Sequence, residues 1–188
     1  MRILFVILFF SAQGLYAQDK VEREYKIKPS EVPAKALDFI KESFSEKKVN
    51  WYMEQSASGK SIEAKIRKDD RLYSSEFDTL GNIQDIEVTV NFKEIPEALR
   101  HIIERNIGEQ FSRFKVQKVQ KQWIGKAADL QSLIKGDKPK AKYKTNYEIV
   151  ITGRKDKHRD EYELLFNEDG ALIRQQKIIE SNQQHLIF

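Results

Sequence analysis

Apolar residues along the chain switch twice from three-to-four-residue spacing to strict alternation. In the first stretch Ala36, Leu37, Ile40 and Phe44 make one stripe, and Pro33 falls in a first turn, where its missing N–H costs nothing. That spacing predicts a helix over Val32–Phe44. Val49, Trp51 and Met53 then alternate with Asn50, Tyr52 and Glu54, and Ile62, Ala64 and Ile66 alternate with Glu63, Lys65 and Arg67. Tyr73, Ser75 and Phe77 follow, then Ile86, Val88, Val90 and Phe92. Period two belongs to half-buried strands. Ser58-Gly59-Lys60, Lys68-Asp69-Asp70-Arg71 and Asp78-Thr79-Leu80-Gly81-Asn82 read as the turns between them. One helix and four antiparallel strands account for residues 32–93.

The pattern then restarts. Ile95-Pro96 opens a second helix, with Leu99, Ile102, Ile103 and Ile107 on one face. Phe111, Phe114, Val116, Val119 and Trp123 mark the way into an extended run. Tyr143, Tyr147, Ile149 and Ile151 mark another, Tyr162, Leu164 and Phe166 a third, and Leu172–Ile178 the last. Residues 125–142 contain Gly125, Gly136 and Pro139 and are expected to be a loop insertion, with a short helical turn around Asp129–Ile134. Phe77-Asp78-Thr79-Leu80-Gly81 is matched by Phe166-Asn167-Glu168-Asp169-Gly170, so residues 94–180 read as a tandem copy of 32–93. In both, glycine supplies the positive φ a tight turn requires. The expected class is α+β: two tandem α-β-β-β-β units, each a helix packed on an antiparallel sheet. Residues 18–31 form a polar leader whose Val21, Tyr25 and Ile27 alternate as in a short strand, and 181–188 form a C-terminal tail.

The first residues bear on where such a fold acts. Met1-Arg2, an uncharged run from Ile3 to Phe10 and a small Ala17 have the layout of a secretory signal peptide spanning 1–17. The run is shorter than the roughly 20 apolar residues a membrane span needs. A periplasmic or secreted protein is expected, with no stable membrane insertion after cleavage. The chain has no cysteine, which excludes disulfides, thiolate metal ligands and a thiol nucleophile. Its 33 Lys+Arg against 29 Asp+Glu leave a net charge of +4. Those charges are interspersed, so nucleic acid is not an expected partner.

The signal peptide, the two Pro-initiated helices and the Tyr73-Ser74-Ser75-Glu76-Phe77-Asp78-Thr79-Leu80-Gly81-Asn82-Ile83 turn, echoed at Tyr162–Leu172, resemble the PepSY-like family. That group of exported proteins is related to beta-lactamase-inhibitor-type modules. The resemblance covers most of residues 27–178 and implies an α-β-β-β-β repeat and a non-enzymatic binder or inhibitor. The insertion near 125–142 departs from it, and no functional residue is carried over.

Candidate chemistry is sparse. His101, His158 and His185 lack ligand spacing, so no metal site is expected. Asp69, Asp70, Asp78 and Asp169 sit beside turns, where Asp bonds its own backbone. No glycine-rich phosphate cradle or catalytic set is present, so neither a cofactor nor an enzymatic activity is expected. Tyr52 is out of phase with Trp51, so one of these rings must turn away from the helix. Tyr52, Trp51, Tyr143 and Tyr147 are the candidate protein interface, since rigid amphipathic rings anchor such surfaces. The expected function is an exported protein-binding module, with inhibition of an envelope or extracellular protein by steric occlusion as its candidate mode. The alternative is a structural or small-ligand-handling envelope protein with a pocket between the repeats.

Overall fold

The computed structural model describes residues 18–20, 22–45, 48–56 and 59–179, with side chains from residue 22 onward. The expected signal peptide and C-terminal tail lie outside the described residues. In chain order the strands are β1 (Gln18–Lys20), β2 (Arg23–Ile27), β3 (Val49–Ser56), β4 (Gly59–Lys68) and β5 (Arg71–Phe77). They continue with β6 (Ile83–Thr89), β7 (Arg113–Ile124), β8 (Lys144–Lys155), β9 (His158–Phe166) and β10 (Leu172–Ile178). The α-helices are α1 (Ala34–Ser43), α2 (Glu97–Gly108) and α3 (Ala127–Lys135). The strands form one ten-stranded sheet in the order β1-β10-β9-β8-β7-β6-β5-β4-β3-β2. Every pairing is antiparallel except β1 beside β10.

The two long helices start by the same device. A 3-10 turn at Pro29–Glu31 precedes α1, and the Lys28 N–H donates to the Glu31 carboxylate at 2.8 Å. A second at Phe92–Glu94 precedes α2, where the Asn91 N–H donates to Glu94 at 2.8 Å. Pro33 and Pro96 then set the entry angle. The insertion is more ordered than expected: Leu130 and Ile134, four residues apart, bury one face of α3 beside α1. Gly136, at φ +79°, ends that helix in the left-handed conformation.

All three helices lie on one face of the sheet. Beneath α1 the core holds Trp51, Ile62, Ile66, Phe77 and Ile86; beneath α2 it holds Val119, Ile149, Ile151, Leu164 and Phe166. The sheet runs unbroken between these halves through β6 and β7, from Ile86↔Trp123 to Thr89↔Gln120. Pairing there hides two edges that separate sheets would expose.

The matched turns have matching geometry. Asp78 Oδ1 accepts from the N–H groups of Leu80 and Asn82, at 2.9 and 2.8 Å. Asn167 Oδ1 accepts from those of Asp169 and Ala171, at 3.0 and 2.8 Å. The turn-forming side chain of the second turn is therefore Asn167, at its first position, and not Asp169. Gly81 and Gly170 both stand at φ +80°. A bulge follows each turn, between Phe77↔Ile83 and Glu76↔Asp85 and between Phe166↔Leu172 and Leu165↔Arg174.

The leader closes the architecture. It supplies two strands at opposite edges of the sheet, β1 against β10 and β2 against β3. Lys20 and Arg23 are separated by only residues 21–22. Three Cα–Cα steps span at most about 11 Å, whereas ten flat strands would be roughly 43 Å wide. The sheet must therefore roll up, with the helices outside and the helix-free face within.

Candidate functional site

Period two dictates what the inner face carries. Each strand that sends an apolar residue out to the helices sends a polar one inward: Glu54 from β3, Glu63 and Lys65 from β4, Glu76 from β5, Asp85 and Glu87 from β6, Gln120 and Gln122 from β7, Glu148 from β8. With Glu24 from β2 and Arg174 from β10 they line one cleft of about 550 Å³. On a flat sheet such side chains would be solvated. Here Glu63 and Gln120 are 5% exposed, Glu163 3% and Glu87 8%, because the roll encloses them.

Two cations of the protein occupy the flanks. Lys65 Nζ lies 2.9 Å from both Glu24 and Glu63 and 4.8 Å from the Tyr52 ring centre. Burial works against the Lys65 charge, but hydrogen bonds to Glu24 and Glu63 outweigh it and raise its pKa. The carboxylates of Glu24, Glu54 and Glu63 come within 4.8 Å of one another, a spacing that suits a metal ion. The Lys65 ammonium already stands there. Across the cleft Arg174 pairs with Glu163 at 3.1 Å and Glu148 at 3.8 Å.

The middle strand is held differently. Gln122 Nε2 donates to Asp85 Oδ2 at 3.2 Å, Gln120 Nε2 donates to Glu87 Oε2 at 2.6 Å, and Asn146 Nδ2 donates to Gln122 Oε1 at 2.9 Å. Asp85 Oδ1 is buried with no hydrogen-bond partner. Burial, then the charges of Glu76 and Glu148, pushes the Asp85 pKa up to about 8. Glu54 is likewise pushed up to about 8, by burial and then by Glu63 and Glu76. Burial also drives Glu87 well above the ordinary carboxylate range, with Glu148 and Asp85 adding to it. Near neutral pH the cleft holds protons that exposed carboxylates would have released.

The four aromatic residues named as a candidate protein interface do not share one surface. Trp51 and Tyr147 are 3% and 6% exposed and lie in the core beneath the helices. Tyr52 faces the cleft from the other side of β3, half-buried, and Tyr143 precedes β8, 37% exposed. The cause is phase: Tyr147 alternates with Asn146 and Glu148 and so shares the helix-facing register of Ile149. Sequence reasoning missed the carboxylates instead. Their signal was present in the out-of-phase Glu, Asp and Gln of the central strands. His101 lies on exposed α2 beside Glu97 and Glu104, His158 starts β9 exposed, and His185 lies outside the described residues.

A second concavity of about 260 Å³ opens on the helix side, where Tyr73, Val88, Lys121, Trp123 and Tyr147 meet Pro96. Lys121 Nζ sits 5.6 Å from the Trp123 ring centre, and burial lowers its pKa.

No protein-family model matches the sequence, and no curated protein is similar enough to count as a relative. Solved structures that share the fold include two from Bacteroides. A DUF2874 family protein from Bacteroides ovatus ATCC 8483 is 13% identical, with 78% of this chain and 87% of that one covered and a TM-score of 0.50. A protein from Bacteroides eggerthii DSM 20697, named as a periplasmic one, is 16% identical over 78% and 88%, with a TM-score of 0.51. At these identities the likeness concerns the fold and does not extend to a PepSY-like assignment. Among the described residues no helix is long and apolar enough to cross a membrane.

Proposed function

We propose that this chain is an exported, non-enzymatic binding module that receives its ligand in the cleft of the rolled sheet. One observation carries the reading: polar groups from β2 to β8 and from β10 converge on a single enclosed space. Burying charge costs several kcal/mol per ion unless it is compensated. Solubility alone would have left these side chains outside.

Export rests on the Met1–Ala17 segment and is supported by the periplasmic name of a similar fold. Duplication of one α-β-β-β-β unit is supported by the paired 3-10 turns, the Asp78 and Asn167 turns and the two bulges. A smaller role for the helix-side concavity, as a small-ligand pocket between the halves, is favoured by the half-buried Lys121 over Trp123.

The test is retention of envelope components by the purified protein, by an Asp85→Asn, Glu87→Gln double variant and by Tyr143→Ala. A stoichiometric species kept by wild type and Tyr143→Ala but lost from the double variant is the expected result. Retention that ignores the double variant and fails in Tyr143→Ala would move binding to the outer surface. Nothing retained by wild type would also count against the reading.

A further inference from the structure

We propose that the ligand of this cleft is an organic cation carrying two or more protonated amines or guanidinium groups, bound by Asp85, Glu87 and Glu76. The inference rests on the binding reading above and adds the chemistry of the occupant. The chain as a whole carries +4, yet Glu24, Glu54, Glu63, Glu76, Asp85, Glu87 and Glu148 line the cleft against Lys60, Lys65, Lys118 and Arg174. Acid has been gathered inside a basic protein.

The fold itself displays the recognition geometry. An ammonium bridges Glu24 and Glu63, and a guanidinium pairs with Glu163 and Glu148, each built on an inward position of the sheet. Arg174 follows the bulge after the second turn; Asp85 follows the bulge after the first. Where the second half supplies its own cation, the first supplies a carboxyl whose Oδ1 is buried and unpartnered. A cationic group brought by a ligand would complete that place. A bare metal ion fits poorly, because the cleft of about 550 Å³ is of organic-ligand size and the one carboxylate triad close enough for a metal among the described residues already embraces Lys65.

Occupation has a proton signature. Asp85 faces Glu76 on β5, Gln122 on β7, Glu148 on β8 and Arg174 on β10, while Glu87 faces Glu148, Asp85, Glu76 and Lys118. The acids of that set repel one another's ionised forms, so a cation that ionises Asp85 and Glu87 must expel their protons. A neutral ligand would not.

Isothermal titration calorimetry of the purified protein, near pH 7 and about 0.15 M salt, in phosphate and in Tris, counts those protons without any variant. Spermidine, a short Lys/Arg peptide, calcium and magnesium are the probes; the first two distinguish a free polyamine from a protein-borne segment. Expected is binding of at least one organic cation with release of one or two protons, strengthening about tenfold per pH unit for each proton released. The Asp85→Asn, Glu87→Gln variant, checked for cooperative unfolding, should bind at least about tenfold more weakly and release none. The proposal is overturned if neither organic cation binds in the millimolar range, if binding releases no protons, or if only the divalent metals bind. A cleft-dependent envelope ligand combined with silent cations would sink the cation class and leave the binding reading standing. A ligand that ignores the cleft would sink both.

Discussion

Phe111 lies so close to Gly153 that a β-carbon on the glycine would stand 2.6 Å from Phe111 Cδ1. The ring follows α2, the glycine sits in β8, and Tyr162 flanks the ring with centroids 4.8 Å apart. Phe111 is 2% exposed and has nowhere to retreat. Gly153→Ala should therefore destabilise by about 1–3 kcal/mol through overpacking. Urea unfolding measures this, and Phe111→Leu added to the same chain should recover part of the loss. A neutral Gly153→Ala would mean that this contact is slack.

Stability should fall as pH rises through neutrality. Asp85 and Glu54 are lifted from 3.8 and 4.5 to about 8, so the native chain binds more protons than the unfolded one between those limits. Their contribution is complete below the ordinary carboxylate values and is lost as pH climbs through about 8. Asp78 and Glu94 work in the opposite sense. Hydrogen bonds from Asn82 depress the first, and those from the Asn91 N–H and Arg71 depress the second. Their contribution is lost as pH falls below the ordinary values. Urea midpoints should peak in mildly acidic solution and decline toward pH 8.5, with a shallower decline in Asp85→Asn. A flat profile would mean that the cleft acids are already ionised.

Adjacent rings on β3 should respond very differently to truncation. Trp51, packed on Phe77 at a centroid distance of 6.1 Å, should cost about 3–5 kcal/mol as Trp51→Ala. Tyr52→Ala should cost about 1 kcal/mol or less, since it removes a half-buried ring beneath the Lys65 ammonium. Denaturant midpoints of the two variants decide it. Equal losses would contradict the assignment of the two faces.

The first residues of the two matched turns should be interchangeable. Asp78→Asn and Asn167→Asp each preserve the side-chain oxygen that accepts two backbone N–H groups. Asn167→Asp should leave stability nearly unchanged, and Asp78→Asn should cost only the bond that Asn82 Nδ2 donates to Asp78 Oδ2. Asn167→Ala removes that oxygen and should cost about 1–2 kcal/mol. Thermal unfolding of the three variants tests the equivalence, which fails if either exchange costs as much as the alanine.

Much of this architecture follows from local pattern. Phase alone puts Trp51, Ile62, Phe77 and Ile86 under α1 and Ile149, Leu164 and Phe166 under α2, because a strand alternates faces whatever surrounds it. Pro33 and Pro96 mark the helix starts for the same kind of local reason, and so does each turn glycine. Tyr147 shows how such reasoning goes astray: its phase was readable, but its aromatic character drew attention to a surface it does not occupy. Asn167 shows the same at a turn, where Asp169 was the more conspicuous acid.

The sequence by itself determined which residues share a face, since that depends only on backbone period and on the residue at each step. Only the tertiary structure decided that the polar face is enclosed. Rolling is a collective property: it arises when β1 and β2, two residues apart in the chain, pair with opposite edges of the sheet. Glu63, Asp85, Glu87 and Gln120 look like ordinary solvent-facing strand residues until that closure brings them together and buries them, and only then do Asp85 and Glu87 hold their protons above the ordinary carboxylate range.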